Sequence, residues 1–289
     1  MAAWRDRFWT SHDGLKLHYR DYDGPADKPP LLCLHGLTRN ARDFEDFAAL
    51  YAGRWRVIVP DFRGRGLSER DPEPKNYSPP VYVADILKLL DQLGIADAVF
   101  VGTSLGGLVT MLLAFSDEER VAAAVLNDIG PELDEAGLNR IESYVGKLAL
   151  FADWDEAAAA ITAGHAVAHP GYDKAKWLRF AHRICRETES GIAFDYDMAI
   201  ADNFHRSRQA PARDAWPYYR ALAGRPLLIV HGALSDLLSA DLAEKMRDAI
   251  PGADLVTVPN VGHPPELVEP EARAAIDRLL EKVTVAEAA

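Results

Sequence analysis

The sequence predicts an α/β fold with a mostly parallel central sheet and helices on both of its faces. A helical cap is inserted in the chain between two parts of this core. Short apolar runs such as LLCLHG, VAAAVLND and RPLLIVHG lack strict polar alternation, which indicates strands buried on both faces. Segments with helical spacing separate these runs, and such alternation is typical of parallel sheets. The alternation stops once, between residues 129 and 224, and then resumes. We therefore expect one layered core with an insertion.

The first half of the chain supplies the opening elements of this core. RDRFWTS and LKLHYRDY flank an Asp13-Gly14 turn signal and predict a hairpin. After the strand LLCLHG come a helix in ARDFEDFAALYAG and a strand in WRVIVPD. PPVYVADILKLLDQLG begins with proline and ends with glycine, as helices often do. The strand AVFVG, the helix LGGLVTMLLAF and the strand VAAAVLND complete this half.

The second half predicts the insertion and the return to the core. Between residues 129 and 224 we find helical patterns, among them KAKWLRFAHRICRE and FDYDMAIADNF, and no convincing strand. The strand RPLLIVHG, the helix SADLAEKMRDAIPG, the strand ADLVTVP and a last helix in LVEPEARAAIDRLLEKV follow. We predict a core of residues 1–128 and 225–289, with residues 129–224 as a helical cap.

Composition excludes several classes of partner. The 289 residues include 32 Lys and Arg against 44 Asp and Glu, a net charge of −12. Nucleic acids and anionic membranes recruit basic surfaces, so we expect neither as a partner. The two cysteines, Cys33 and Cys185, are far apart, which favours a reducing compartment. With no apolar signal region near the N-terminus, we expect a cytoplasmic protein.

The stretch VFVGTSLGGLV places one hydroxyl, Ser104, between a predicted strand and a predicted helix. Gly102 and Gly106 flank it in the pattern G-x-S-x-G. In a tight strand-to-helix turn, a Cβ at either glycine would meet neighbouring backbone, and the serine would be exposed at the edge of the sheet. The N–H of Leu105 would then point towards an oxyanion formed on a substrate. Ser104 is therefore the candidate nucleophile.

A serine nucleophile needs a base, and the base needs an orienting carboxylate. His263 lies between the last strand and the last helix, in VPNVGHPPEL, and is the candidate base. Asp236, in HGALSDLLS, lies in a loop after a strand and is our preferred acid. Asp128, at the end of VAAAVLND, is the rival acid, because it could also reach a histidine across the edge of the sheet.

A second oxyanion donor is expected in the loop after LLCL. The backbone N–H of Leu37 is the candidate, and Gly36 would let the loop approach the serine closely. We expect His35 to be a structural residue bonded to backbone.

Two further patterns suggest a metal or a cofactor, and we reject both. His165 and His169 are four residues apart on a predicted helix, but no Glu follows His165 and no third ligand is evident. The stretch 61–66, DFRGRG, lacks the third glycine and the helix of a dinucleotide site. We expect no metal and no organic cofactor.

Five motifs in order, HGLTRN, DFRGRGLS, GTSLGG, HGALSD and VGHPPE, resemble those of the α/β-hydrolase fold superfamily, in particular its serine hydrolases with a helical cap. The resemblance spans nearly the whole chain. It implies a nucleophile elbow at Ser104, a catalytic triad completed by Asp236 and His263, and an oxyanion hole formed by Leu37 and Leu105. Epoxide hydrolases and haloalkane dehalogenases of this fold carry an aspartate at the elbow, so Ser104 argues against both.

We therefore expect a serine esterase or lactonase that acts on a small, partly apolar carboxylic ester or lactone. One alternative is hydrolysis of a carbon–carbon bond by the same triad. The hydrolases that cleave ring-fission products usually have a glycine-rich oxyanion loop and a Trp after the histidine, whereas this chain has Leu37 and Pro264 at those places. The other alternative is a receptor-like protein that binds a ligand with little turnover.

Overall fold

The computed structural model describes residues 2–211 and 213–286, which form an eight-stranded sheet, a three-stranded sheet and their helices. The strands are β1 (Trp4–Thr10), β2 (Lys16–Tyr22), β3 (Leu31–Leu34), β4 (Val57–Pro60), β5 (Ala98–Thr103), β6 (Val121–Asn127), β7 (Leu150–Phe151), β8 (Cys185–Thr188), β9 (Gly191–Phe194), β10 (Leu227–Gly232) and β11 (Asp254–Val258). The helices are α1 (Glu45–Tyr51), α2 (Pro79–Leu93), α3 (Leu105–Ser116), α4 (Glu135–Tyr144), α5 (Trp154–His165), α6 (Lys174–Ile184), α7 (Ile200–Gln209), α8 (Trp216–Arg220), α9 (Ala240–Ala249) and α10 (Pro270–Ala286).

The large sheet has the strand order β1-β2-β4-β3-β5-β6-β10-β11. Strand β2 pairs antiparallel with β1 and β4, and the other neighbours pair in parallel. The predicted mostly parallel sheet is therefore confirmed. Because parallel strands end at the same edge, the loops after β3, β5, β6, β10 and β11 meet there.

The predicted N-terminal hairpin is confirmed, with a longer loop than the Asp13-Gly14 signal alone indicates. The loop spans residues 11–15, and the N–H of Ser11 donates to the Leu15 carbonyl over 2.9 Å. Gly14 has φ of +97°, a value that glycine adopts without strain.

Helices cover both faces of the large sheet, as predicted. In β3, Leu32 and Leu34 pack in a core with α2, α3 and α9, whereas Leu31 and Cys33 pack in a second core with α1 and α10. All four side chains are fully buried. This two-sided burial explains why the strand is apolar at every position.

The segment 129–224 contains a sheet that the sequence analysis did not predict. Strands β7, β9 and β8 form an antiparallel sheet in that order, so the expectation of a cap without strands is wrong. A separate apolar core, which includes Trp177, Phe180 and Ile192, lies between this sheet and helices α5 and α6. The division of the chain at residues 128 and 224 stays a prediction.

Hydrogen bonds connect this cap to the core. Arg42 donates from Nε to the Arg183 carbonyl over 2.9 Å and from Nη2 to Asp195 Oδ2 over 2.7 Å. On the other side, the N–H of Gly262 donates to the Ala168 carbonyl over 2.6 Å. The cap therefore contacts both the loop after β3 and the loop after β11.

Across residues 2–211 and 213–286, the helices include none that combines the length and the apolar character needed to cross a bilayer.

Candidate active site

Ser104 lies in a strained turn between β5 and α3. Its φ and ψ are 52° and −115°, a backbone conformation that non-glycine residues rarely adopt. A Cβ on Gly102 would lie 2.6 Å from the backbone of Gly106, and a Cβ on Gly106 would lie 2.0 Å from the carbonyl oxygen of Leu34. The steric reason for glycine at both positions, predicted from the motif, is therefore confirmed. The Ser104 backbone is held by its N–H, which donates to the Asn127 carbonyl over 3.0 Å.

His263 lies between Ser104 and a carboxylate. Its Nε2 is 3.0 Å from Ser104 Oγ, and its Nδ1 is 2.9 Å from Asp128 Oδ2. His263 is 6 % exposed and Asp128 is fully buried. Hydroxyl, imidazole and carboxylate thus form one continuous line of hydrogen bonds, with the proton on His263 Nδ1 when the ring is neutral.

Asp128 follows β6 and is held from the neighbouring strand and its loop. Its Oδ1 accepts a hydrogen bond from the N–H of Gly232 over 2.8 Å, and its Oδ2 accepts one from Ser235 Oγ over 2.5 Å. The backbone of Asp128 has φ of +55°, a conformation that non-glycine residues rarely adopt. These donors satisfy the hydrogen-bonding capacity of a carboxylate that is shielded from solvent.

The structure corrects the preference for Asp236 as the acid. Asp236 does not hydrogen-bond to His263 in the described chain; both of its carboxylate oxygens accept from Arg140, over 2.5 Å and 2.7 Å. Burial penalises its charged form, but the bonds to Arg140 outweigh that effect and lower the pKa of Asp236. Asp128 comes from β6, which lies between β5 and β10. The signal for Asp128 in the sequence was its position at the end of the strand VAAAVLND; that this strand lies beside the strand of Ser104 is shown by the structure.

Of the two expected oxyanion donors, Leu105 follows Ser104 in the chain, and Leu37 lies in the loop after β3. A Cβ on Gly36 would be 3.8 Å from Ser104 Cβ, so the loop after β3 passes close to the serine. The N–H groups of Leu37 and Leu105 have no intramolecular acceptor in the described part of the chain. Their role as oxyanion donors stays a proposal.

His35 fixes the conformation of this loop, as expected. Its Nδ1 lies 2.8 Å from the Gly36 carbonyl, and its Nε2 accepts from the N–H of Phe62 over 3.1 Å. A neutral ring with its proton on Nδ1 satisfies both contacts. Complete burial lowers the pKa of His35 to about 4, which keeps the ring in that neutral form.

A small cavity of about 30 Å³ is lined by Thr103 and Pro264, the chain neighbours of Ser104 and His263. Arg39, His169 and Arg183 also line it. Sequence reasoning missed Arg39 and Arg183, because a lone arginine in a loop or on a helix has no distinguishing pattern.

His165 and His169 belong to no group of three potential metal ligands within residues 2–211 and 213–286. Burial, together with the charge of Arg39, lowers the pKa of His165 to about 4 and that of His169 to about 3. The group of three potential ligands that the described residues do contain is His12, Asp13 and Asp85. Arg63 already forms ion pairs with both of those carboxylates.

Known proteins resemble this chain over most of its length. The profile of the alpha/beta hydrolase fold matches residues 29–270. The 3-hydroxybutyrate-oligomer hydrolase of Cupriavidus necator is 32% identical over 263 residues, which are 88% of this chain and 89% of the relative. The 2-(acetamidomethylene)succinate hydrolase of Mesorhizobium japonicum is 29% identical over 84% of each chain. The crystal structure of an alpha/beta hydrolase from Novosphingobium aromaticivorans superposes with a TM-score of 0.93 at 52% identity, covering 98% of this chain and 99% of that one.

Proposed function

Because this chain belongs to the α/β-hydrolase family, we propose that it is a serine hydrolase that cleaves a small carboxylic ester or lactone through an acyl-enzyme. The observation that carries the proposal is the line of hydrogen bonds from Ser104 Oγ through His263 to Asp128. Nucleophile, base and orienting acid are the three parts that acyl transfer to a serine requires.

In the proposed mechanism, Ser104 Oγ attacks the carbonyl carbon while His263 Nε2 takes its proton. Asp128 holds the ring by its Nδ1–H and stabilises the imidazolium. The N–H groups of Leu37 and Leu105 bind the oxyanion of the tetrahedral intermediate. His263 returns the proton to the leaving alcohol, and a water activated by the same ring then releases the acid.

One of the two relatives supports the choice of an ester. Units of 3-hydroxybutyrate joined head to tail are joined by ester bonds, and the relative from C. necator is named as a hydrolase of such oligomers. The alignment with this relative covers most of both chains. We therefore take an ester as the bond that this chain cleaves. A lactone has the same carbonyl and the same leaving oxygen within one ring.

Stopped-flow release of p-nitrophenol from esters of increasing acyl length tests the proposal. We expect a stoichiometric burst followed by turnover in the wild type, which would reveal an acyl-enzyme. Ser104→Ala should lose the burst and about 10⁶ in kcat. A Ser104→Ala variant that loses only tenfold would contradict the serine mechanism.

If the wild type hydrolyses none of the esters and lactones tested, the proposal is overturned. Loss of absorbance from a coloured ring-fission dienoate would then point to carbon–carbon hydrolysis. Stabilisation by a ligand without multiple turnover would point to a binding protein.

A further inference from the structure

The small cavity beside Thr103 and Pro264 is rich in nitrogen donors. Arg39 enters it from the loop after β3, while His169 and Arg183 enter it from the cap. His169 and Arg183 are 4 % and 5 % exposed, yet His169 Nδ1 and Arg183 Nε have no hydrogen-bond partner among the described residues. Tyr172 Oη, on another lining residue, also has no partner among the described residues. A buried polar atom without a partner is costly, so three such atoms around one cavity point to a ligand that accepts hydrogen bonds.

Two nitrogens of the Arg39 guanidinium are engaged by a neighbouring carboxylate, and the third, Nη1, is available to donate hydrogen bonds. Its Nε and Nη2 donate to the two oxygens of Asp43 over 2.6 Å and 2.9 Å, and its guanidinium carbon lies 4.2 Å from the centre of the Phe180 ring. No hydrogen bond engages Nη1 within the described residues. The side chain is 18% exposed, so ion pairing and stacking orient the group without covering it.

Two carboxylates, Asp43 and Glu266, also line the cavity, and both are already paired. Asp43 is bound to Arg39, and Glu266 accepts a hydrogen bond from Arg183 Nη1 over 3.0 Å. Arg183 Nη2 donates to Asp46 over 2.6 Å. The groups left over can therefore donate: Arg39 Nη1, Arg183 Nε, the Tyr172 hydroxyl and, in one tautomer, His169 Nδ1.

We propose that this cavity binds a free carboxylate of the substrate, so that the preferred substrates are esters of hydroxy acids or half-esters of dicarboxylic acids. Arg39 supplies the charge, and His169 and Arg183 supply further N–H donors. A planar carboxylate matches the fork of a guanidinium better than a neutral ester or a hydroxyl does. The inference rests on the proposed function and narrows its substrate class.

Binding to the Ser104→Ala protein tests the subsite without turnover. Calorimetry compares 3-acetyloxybutanoate with its methyl ester, and monomethyl glutarate with methyl pentanoate. We expect the acid to bind more tightly than its neutral counterpart in at least one pair. Arg39→Gln should reduce that preference about 30-fold, the effect of a hydrogen bond between charged groups.

Two further variants separate this effect from damage to the loop. Asp43→Asn removes the anion beside Arg39 and should increase the preference for the acid. Arg179→Gln removes a half-exposed arginine that pairs with Asp46 and should leave the preference unchanged. Equal binding of acid and neutral compound in both pairs, or the same preference in Arg39→Gln as in its parent, would overturn the subsite.

Steady-state kinetics of the wild type distinguish failure of the carboxylate subsite from failure of the proposed serine hydrolase. The quantity compared is the ratio of kcat/KM for each acid to that for its neutral counterpart. Turnover with a ratio near one would leave the serine hydrolase standing and refute the carboxylate subsite. A strong preference in binding with no turnover of any ester would support the subsite and refute the proposed function.

Discussion

His263 Nδ1 lies 2.9 Å from Asp128 Oδ2, so the carboxylate at the imidazole comes from the end of β6. Asp236 is one strand further along the sheet, after β10, and pairs with Arg140. The two aspartates therefore have separate partners, and their substitution should have separate effects.

Asp128→Asn should reduce kcat on an ester by about 10⁴, because the amide cannot hold the proton on Nδ1 or stabilise the imidazolium. Asp236→Asn is the matched control and should cost less than about tenfold, since it weakens only a partly exposed ion pair. Steady-state kinetics on one ester measures both. The reverse ranking of the two variants would contradict the assignment of Asp128.

Ser235 should act as a positioning residue for Asp128. Its hydroxyl donates to Asp128 Oδ2, the oxygen that also faces His263. Ser235→Ala should lower kcat roughly tenfold, because a donor to a charged group is lost. KM should stay unchanged, because the hydroxyl is directed at Asp128.

Ser239→Ala is the control for this prediction. Ser239 caps α9 by accepting from the N–H of Leu242, so its loss should cost about 1 kcal/mol of stability and leave kcat as it was. A Ser235→Ala variant that also loses only stability would show that Ser235 has no role in positioning.

Acid should destabilise the fold between about pH 6.5 and pH 4. Burial lowers the pKa of His35 and of His165 to about 4, whereas an unfolded histidine titrates near 6.5. Over this interval the unfolded chain binds protons that the folded chain does not, so the free energy of unfolding falls as pH falls. Each group contributes a slope of up to about 1.4 kcal/mol per pH unit.

His35→Gln should remove one such contribution from the pH dependence. Urea unfolding at several pH values between 4 and 7 measures the slope for both proteins. Because the side chain is buried and bonded to Gly36 and Phe62, the variant will be less stable at every pH; the informative quantity is the slope. An identical slope in the two proteins would contradict the prediction.

Gly106→Ala should abolish folding or activity, because the new Cβ would lie 2.0 Å from the Leu34 carbonyl oxygen.

Gly164, within α5, is the matched control, because no atom lies within 4 Å of the position that a Cβ would take. Gly164→Ala should therefore stabilise the protein by about 0.5–1 kcal/mol, the usual gain within a helix. Thermal unfolding compares the two variants, and a well-folded, active Gly106→Ala protein would argue against the tight turn.

The sequence predicted those parts of the site whose chemistry requires a local pattern. Ser104 needs glycines two residues to either side, and His263 lies in a loop between a strand and a helix. The choice between Asp128 and Asp236 depended on how two neighbouring strands end. Loop direction, which the φ of +55° at Asp128 helps to set, has no signature in the residue types.

The cap sheet escaped prediction for a related reason. Strand β7 has two residues, which is too short for any periodicity. Strand β8 reads CRET and continues directly from α6, so its residues extend the helical pattern of KAKWLRFAHRI. The turn from helix to strand at Cys185 is imposed by pairing with β9, a tertiary contact that local propensity does not contain.

The hydrogen bond from the N–H of Gly262 to the Ala168 carbonyl joins the cap to the residue that precedes His263. Separating residues 168 and 262 would therefore break a hydrogen bond one residue away from His263. Under the proposed mechanism, this contact between the cap and the loop after β11 is also a contact that holds the general base in place.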